Sequence, residues 1–318
     1  MTYILLVIGF VLLIKGADYF VKGASSIATA LQVSPLLIGL TIVAFGTSSP
    51  EATVSMVAAF EGNAGVAIGN VVGSNIFNIT FVVGVTALLY PLKVESETIR
   101  KEIPFTLLAG VALLILISDI FLQSISGNFI TRSDGFILLL FFAVFLYYIF
   151  EVARRDRKKG TSGISNPVAT SWGKNIVFTI GGLAAIIFGG DLVVDGATEI
   201  AISLGMSETL VGLTIIAIGT SLPELITSIT AAIRKESEIA LGNIVGSNIF
   251  NIFFVLGAAS VISPLAVDSK IFVDVFLMII ITIVLLLFSR TNFRVGKFEG
   301  IILAIAYILY MIYIIIRN

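Results

Sequence analysis

The sequence predicts an all-α membrane protein of ten transmembrane helices, arranged as two inverted five-helix repeats. Three observations predict it: an extreme apolar composition, about ten hydrophobic stretches of spanning length, and a duplication of nearly the whole chain about a short polar centre. Hydrophobic residues make up 58% of the 318 positions and charged residues only 12%, about half the charge of an ordinary soluble domain. The formal net charge is −1, with no basic stripe, so no nucleic-acid partner is expected. Cysteine and histidine are both absent. That excludes thiolate chemistry, disulfides and imidazole ligation, and a metal ion held here would need oxygen ligands. No ATP-binding loop is present, which disfavours a primary pump, and nothing points to an enzyme.

The expected spans are 2–30, 35–60, 65–91, 103–121, 133–152, 174–203, 207–233, 238–264, 270–289 and 298–316, each long enough for about 20 apolar residues. The run from Thr2 to Ile14 lacks a basic leader and continues into GADYFVKGASS, so it reads as a retained helix and not a cleaved signal. The hydrophilic stretch from Glu151 to Pro167 divides the chain. Residues 1–152 are therefore expected to form the first repeat, 153–173 a cytoplasmic linker and 174–318 the second repeat.

The halves match at a constant offset of 173 residues. Gly39 to Glu51 (GLTIVAFGTSSPE) returns as Gly212 to Glu224 (GLTIIAIGTSLPE), and Gly69 to Ile79 (GNVVGSNIFNI) as Gly242 to Ile252 (GNIVGSNIFNI). Five spans per half is an odd number, so the second copy must sit upside down, a common transporter construction with its site at the repeat interface. Charge placement agrees. With both termini outside, fourteen of the lysines and arginines fall in cytoplasmic loops and three outside, as cytoplasmic loops collect positive charge.

Pro50 and Pro223 each remove a helical N–H and free a carbonyl, at Gly46 and Gly219, which hydrocarbon cannot satisfy. Thr47 and Ser48, with Thr220 and Ser221, add hydroxyls to the two breaks. Glu51 and Glu224 follow directly, where the N-terminal dipole of the resumed helix favours a negative charge. In the second motif Asn70, Ser74 and Asn78 fall four apart on one face, as do Asn243, Ser247 and Asn251. Hard oxygens converging around two carboxylates suit calcium, and sodium accepts similar ligands. The blander reading neutralises the glutamates with Lys15 or Lys22. Asp18 and Asp191 read as structural, and Asp195 and Glu199 as interhelical or surface pairing.

In these two duplicated motifs, G-T-S-x-P-E and G-N-x-x-G-S-N, the chain resembles the sodium/calcium exchanger family of the calcium:cation antiporter superfamily, prokaryotic type, over nearly its whole length. The resemblance implies that spans two, three, seven and eight form a cation core across which spans one and six slide. It implies that Glu51 and Glu224 bind calcium and sodium, assisted by Thr47, Ser48, Ser74, Thr220, Ser221, Ser247 and the carbonyls of Ala44 and Ala217; Asn78 and Asn251 complete the candidate set. The expected function is antiport of sodium against calcium by alternating access across the cell membrane, both ions being transported substrates, with no organic cofactor and a monomer as the working expectation. A calcium/proton antiporter using the same glutamates, or a passive cation channel, are the alternatives. Many relatives carry an aspartate in one copy of the second motif, where this chain has neutral Asn78 and Asn251.

Overall fold

A chain in hydrocarbon must satisfy its own backbone, and helices do so within one segment. The computed structural model describes residues 2–124, 126–160, 171–205, 217–291 and 293–317. In the first half α1 spans Thr2–Leu31, α2 Pro35–Thr47, α3 Ser49–Phe60, α4 Ala64–Leu89, α5 Ile103–Leu116, α6 Asp119–Gln123 and α7 Arg132–Gly160. In the second, α8 is Trp172–Ser203, α9 Leu222–Ile233, α10 Ser237–Ile262, α11 Ser269–Arg290 and α12 Lys297–Arg317. A single helical turn, Ala217–Gly219, precedes α9.

Seven of these helices are long and apolar enough to cross a membrane, and α2 with α3, bent by 48°, makes an eighth. Ten are not reached among the described residues. The expected fourth span, 103–121, breaks after Leu116 and resumes as the short α6 from Asp119, whose carboxylate accepts the Phe129 N–H (2.9 Å). The expected seventh begins with residues 207–216, which lie outside the described residues. The helix α7 runs on to Gly160, through the first residues of the expected linker, whose middle at 161–170 also lies outside them.

Two helices form the centre. In α4 and α10, 78% and 83% of the most apolar stretch is buried, against 17% to 33% in the other five full-length helices. Each central helix passes into a π-helical segment at a motif asparagine, Asn78–Val82 in α4 and Asn251–Leu256 in α10, a local widening and underwinding of the helix often found at functional sites. On the periphery α1 and α8 pack against each other along their length. Their contact is a glycine seam repeating every seventh residue: Gly9, Gly16 and Gly23 on α1, Gly182, Gly189 and Gly196 on α8. A β-carbon at Gly16 would stand 2.9 Å from the Gly182 carbonyl oxygen, and one at Gly189 2.8 Å from that of Gly9. Only small residues permit such backbone approach. Gly9 meets Gly189 while Gly16 meets Gly182, so the two helices run antiparallel.

The structure adds to the all-helical expectation two minimal antiparallel ladders, each joining the halves. The strand β1 (Leu92–Lys93) pairs with β4 (Arg294–Val295), and β2 (Phe129–Ile130) with β3 (Leu265–Ala266). Loops that meet in one ladder must lie on the same side of the membrane.

Candidate functional site

Both helix breaks form where the prolines require them. Pro50 and Pro223 occupy the first turns of α3 and α9, and the preceding Ser48 and Ser221 leave helical geometry at φ −83°, ψ 9° and φ −96°, ψ 8°. The Gly46 carbonyl that Pro50 frees is taken up by the Ser49 hydroxyl, which donates to it at 2.7 Å. The second break has Leu222 in place of Ser49, so no side chain can do the same there. Glu51 and Glu224 sit in the first turns of the resumed helices, and neither is accessible to solvent (0% each).

The two halves interlock through these residues. The Ser48 hydroxyl donates to Glu224 Oε1 at 2.7 Å, and the Ser221 hydroxyl donates to Glu51 Oε1 at 2.9 Å. These are one bond repeated by the duplication, with each glutamate held by the other half's serine. Asn70 Nδ2 donates to the Glu51 carbonyl (3.1 Å) and to Ser55 Oγ (2.9 Å). Asn243 repeats this on the Glu224 carbonyl (3.3 Å) and Ser228 Oγ (3.0 Å), and also accepts from Thr47 Oγ1 (2.9 Å). The first asparagine of each motif therefore fixes the resumed half-helix to its neighbour.

Asn78 and Asn251 are fully buried and cross the repeat boundary: Asn78 Nδ2 donates to Asn248 Oδ1 (3.2 Å), and Asn251 Nδ2 to Asn75 Oδ1 (3.3 Å). Asn75 and Asn248 were not among the residues singled out from sequence. Their signal was present, since both stand inside the duplicated G-S-N, one residue after Ser74 and Ser247.

Six buried oxygens of this cluster have no hydrogen-bond partner, namely Glu51 Oε2, Glu224 Oε2, Asn78 Oδ1, Asn251 Oδ1, Ser74 Oγ and Thr220 Oγ1, and one donor, Asn248 Nδ2, has none either. Buried polar atoms are almost always paired, and leaving one unpaired costs about 1–3 kcal/mol. Six oxygens, two of them from carboxylates, against a single amide donor call for a hard cation. The halves differ in detail. Ser247 Oγ reaches both Glu224 Oε1 and the Ala44 carbonyl at 3.5 Å, whereas the Ser74 and Thr220 hydroxyls make no hydrogen bond. Ala217 opens the helical turn ahead of the second break.

Among the described residues no cation balances the glutamates. Lys15 is exposed, Lys22 lies over the Phe178 ring at 5.8 Å, and no ion pair reaches Glu51 or Glu224 among the described residues. Asp18 is paired with Arg234. Its counterpart Asp191 and the neighbouring Asp195 instead line a cavity of about 560 Å³ that reaches both breaks at Pro50, Thr220 and Pro223. The cavity beside α8 thus reaches the two breaks, while Glu51 and Glu224 themselves remain buried behind it.

Comparison with known proteins agrees with this geometry. The family described as "Sodium/calcium exchanger protein" matches residues 1–151 and 174–316. CaxA of Alkalimonas amylolytica is 43% identical over 315 residues, covering 96% of each chain. The sodium/calcium exchanger MaX1 of Methanosarcina acetivorans is 34% identical over 341 residues, covering 98% of this chain and 97% of its own. A solved structure of the sodium-calcium exchanger NCX_Mj superposes with a TM-score of 0.82 at 32% identity, covering 97% and 96% of the two chains. The chain is thus an all-helical membrane transporter, not an enzyme, and belongs to the sodium/calcium exchanger protein family.

Proposed function

We propose that this protein is a secondary-active antiporter that exchanges sodium for calcium by alternating access, with Glu51 and Glu224 as the carboxylates that hold the cations. The observation carrying this reading is the pair of fully buried glutamates, each bonded to the other half's serine and each with one oxygen unpartnered. Around them Ser74, Asn78 and Asn251 supply further free oxygens, and Thr47, Ser48, Thr220, Ser221, Ser247 and the carbonyls of Ala44 and Ala217 complete the set that cations draw on as the breaks rearrange.

The chain is organised as two inverted five-helix repeats, 1–152 and 174–318, with ten transmembrane segments, joined by a cytoplasmic linker at 153–173, and with both termini outside. The ladders support this arrangement: β1 with β4 joins the loops of Lys93 and Arg294, both assigned to the cytoplasm, and β2 with β3 joins loops assigned to the outside. Antiparallel α1 and α8 support it as well, since equivalent helices of inverted repeats point in opposite directions. Burial of the carboxylates argues against a channel, which needs a continuous wet path.

Sodium coupling is energetically sufficient. A tenfold sodium gradient supplies about 1.4 kcal/mol per ion and one net charge crossing 100 mV about 2.3, so about three sodium ions per calcium sustain a calcium gradient of about 10⁴ to 10⁵. One observation favours protons as the coupling ion: among the described residues no lysine or arginine pairs with Glu51 or Glu224, so protons can return on the same carboxylates. Radioactive calcium uptake into proteoliposomes, with sodium and pH gradients imposed separately, tests the choice. Uptake driven by outward sodium alone supports sodium exchange; uptake driven only by a pH gradient replaces it with proton exchange, and equilibration without either gradient refutes antiport.

A further inference from the structure

A second cavity lies far along the chain from the glutamates, where the start of α5 meets the end of α7. It measures about 490 Å³ and is lined by Arg100, Lys101, Pro104, Phe105, Leu108, Tyr148 and Arg155, within the range typical of small-ligand sites, roughly 300–1,000 Å³. One end is cationic and the other apolar. Arg100 and Arg155 are both exposed, and neither has a carboxylate at ion-pair distance among the described residues. Leu108, 44% exposed, is one turn or more further along α5 toward the hydrocarbon.

The cationic end is built on a fixed wall. Lys101 is held by Glu97 at 2.9 Å and sits over the Tyr148 ring at 5.6 Å; that ring stacks on Phe105 at 5.5 Å. The Tyr148 hydroxyl donates to Glu102, which is 1% exposed, so this carboxylate is turned inward and away from the cavity's charge. Glu151, the other nearby carboxylate, pairs with Arg154 at 3.6 Å. Two guanidinium groups are thus left without anions beside an apolar slot. Guanidinium groups bind phosphate through paired hydrogen bonds, and basic pockets between membrane helices are suited to lipid headgroups.

We propose that this cavity binds the phosphate-bearing headgroup of an anionic lipid, with Arg100 and Arg155 clasping the phosphate, Lys101 adding charge, and Phe105 and Leu108 receiving the start of an acyl chain. The site depends on neither ion coupling nor the glutamates. It joins α5 to α7, so an occupying lipid bridges two helices.

Native mass spectrometry of the protein released from bilayers of phosphatidylcholine and phosphatidylglycerol in equal parts tests it. The unmodified protein is expected to retain phosphatidylglycerol preferentially, and R100Q with R155Q to lose that preference by at least about tenfold, the worth of one charge-assisted hydrogen bond. Both side chains are exposed, so these variants keep the fold; R100K with R155K keeps the charge and is expected to retain the lipid more weakly than the parent and better than the glutamine variant. Equal retention of both lipids by the unmodified protein, or a preference that survives in R100Q with R155Q, overturns the proposal. Displacement of the lipid by millimolar inorganic phosphate assigns the site to a soluble phosphate compound and overturns it too.

Discussion

Replacing Glu224 by glutamine removes one charge and almost no volume, so its consequences report on electrostatics. Ser48 can still donate to the amide oxygen that takes the place of Oε1, now 2.7 Å away, and the helix break is untouched. A cation at about 4 Å from the lost charge, at an effective dielectric of about 20, forfeits roughly 4 kcal/mol if monovalent and roughly 8 if divalent. Desolvation of the carboxylate returns a large part of this. If half is returned, calcium loses about 4 kcal/mol, a thousandfold in affinity, and sodium about 2, near thirtyfold. Isothermal titration of the purified variant with each ion measures both losses, and thermal melting in the absence of ions checks the fold. The ion-free variant should melt no lower than the parent, because a buried uncompensated charge has been removed. A calcium affinity within tenfold of the parent's, or equal losses for the two ions, would refute the placement of calcium beside Glu224.

Four further outcomes follow from the same geometry. Calcium binding should weaken as pH falls, because each proton taken by Glu51 or Glu224 removes a charge the cation needs; a titration series that stays flat into acid removes these carboxylates from the site. Asn243→Ala should lower stability by about 3 kcal/mol, from three buried hydrogen bonds at about 1 kcal/mol each, read as a lower melting temperature with weakened calcium binding. Gly16→Leu forces a side chain against the Gly182 carbonyl and should cost about 2 kcal/mol or more, with exchange lost; normal transport by this variant would mean that α1 and α8 do not need their close seam. Under sodium/calcium exchange across a planar membrane, net current should flow, with negative-inside potential favouring calcium export, and zero current would point to two sodium ions or two protons per calcium.

Much of the site was legible because duplication marks it twice. Glu51, Ser48, Asn78 and their counterparts are found by repetition, and the serines and glutamates also by the proline between them, both properties of order along the chain. The second asparagines, Asn75 and Asn248, were overlooked because helical spacing places them off the face shared by Asn70, Ser74 and Asn78. They enter the network only through the other half, where Asn75 accepts from Asn251 and Asn248 from Asn78. Asp191 read as structural beside its counterpart Asp18, yet only Asp18 finds an arginine; Asp191 lines the cavity at the breaks. The pairing partner, Arg234, is more than 200 residues away.

Class, duplication and the choice of Glu51 and Glu224 as candidates were therefore legible in sequence, since composition, periodicity and proline chemistry act locally. The crossing of Ser48 to Glu224 and Ser221 to Glu51, the free oxygens left over, and the arginines just before α5 and on α7 that make no ion pair among the described residues were decided by tertiary structure. Each depends on which groups from distant segments come within about 3 Å, and hydrogen bonds and ion pairs weaken too steeply with distance for order along the chain to specify them.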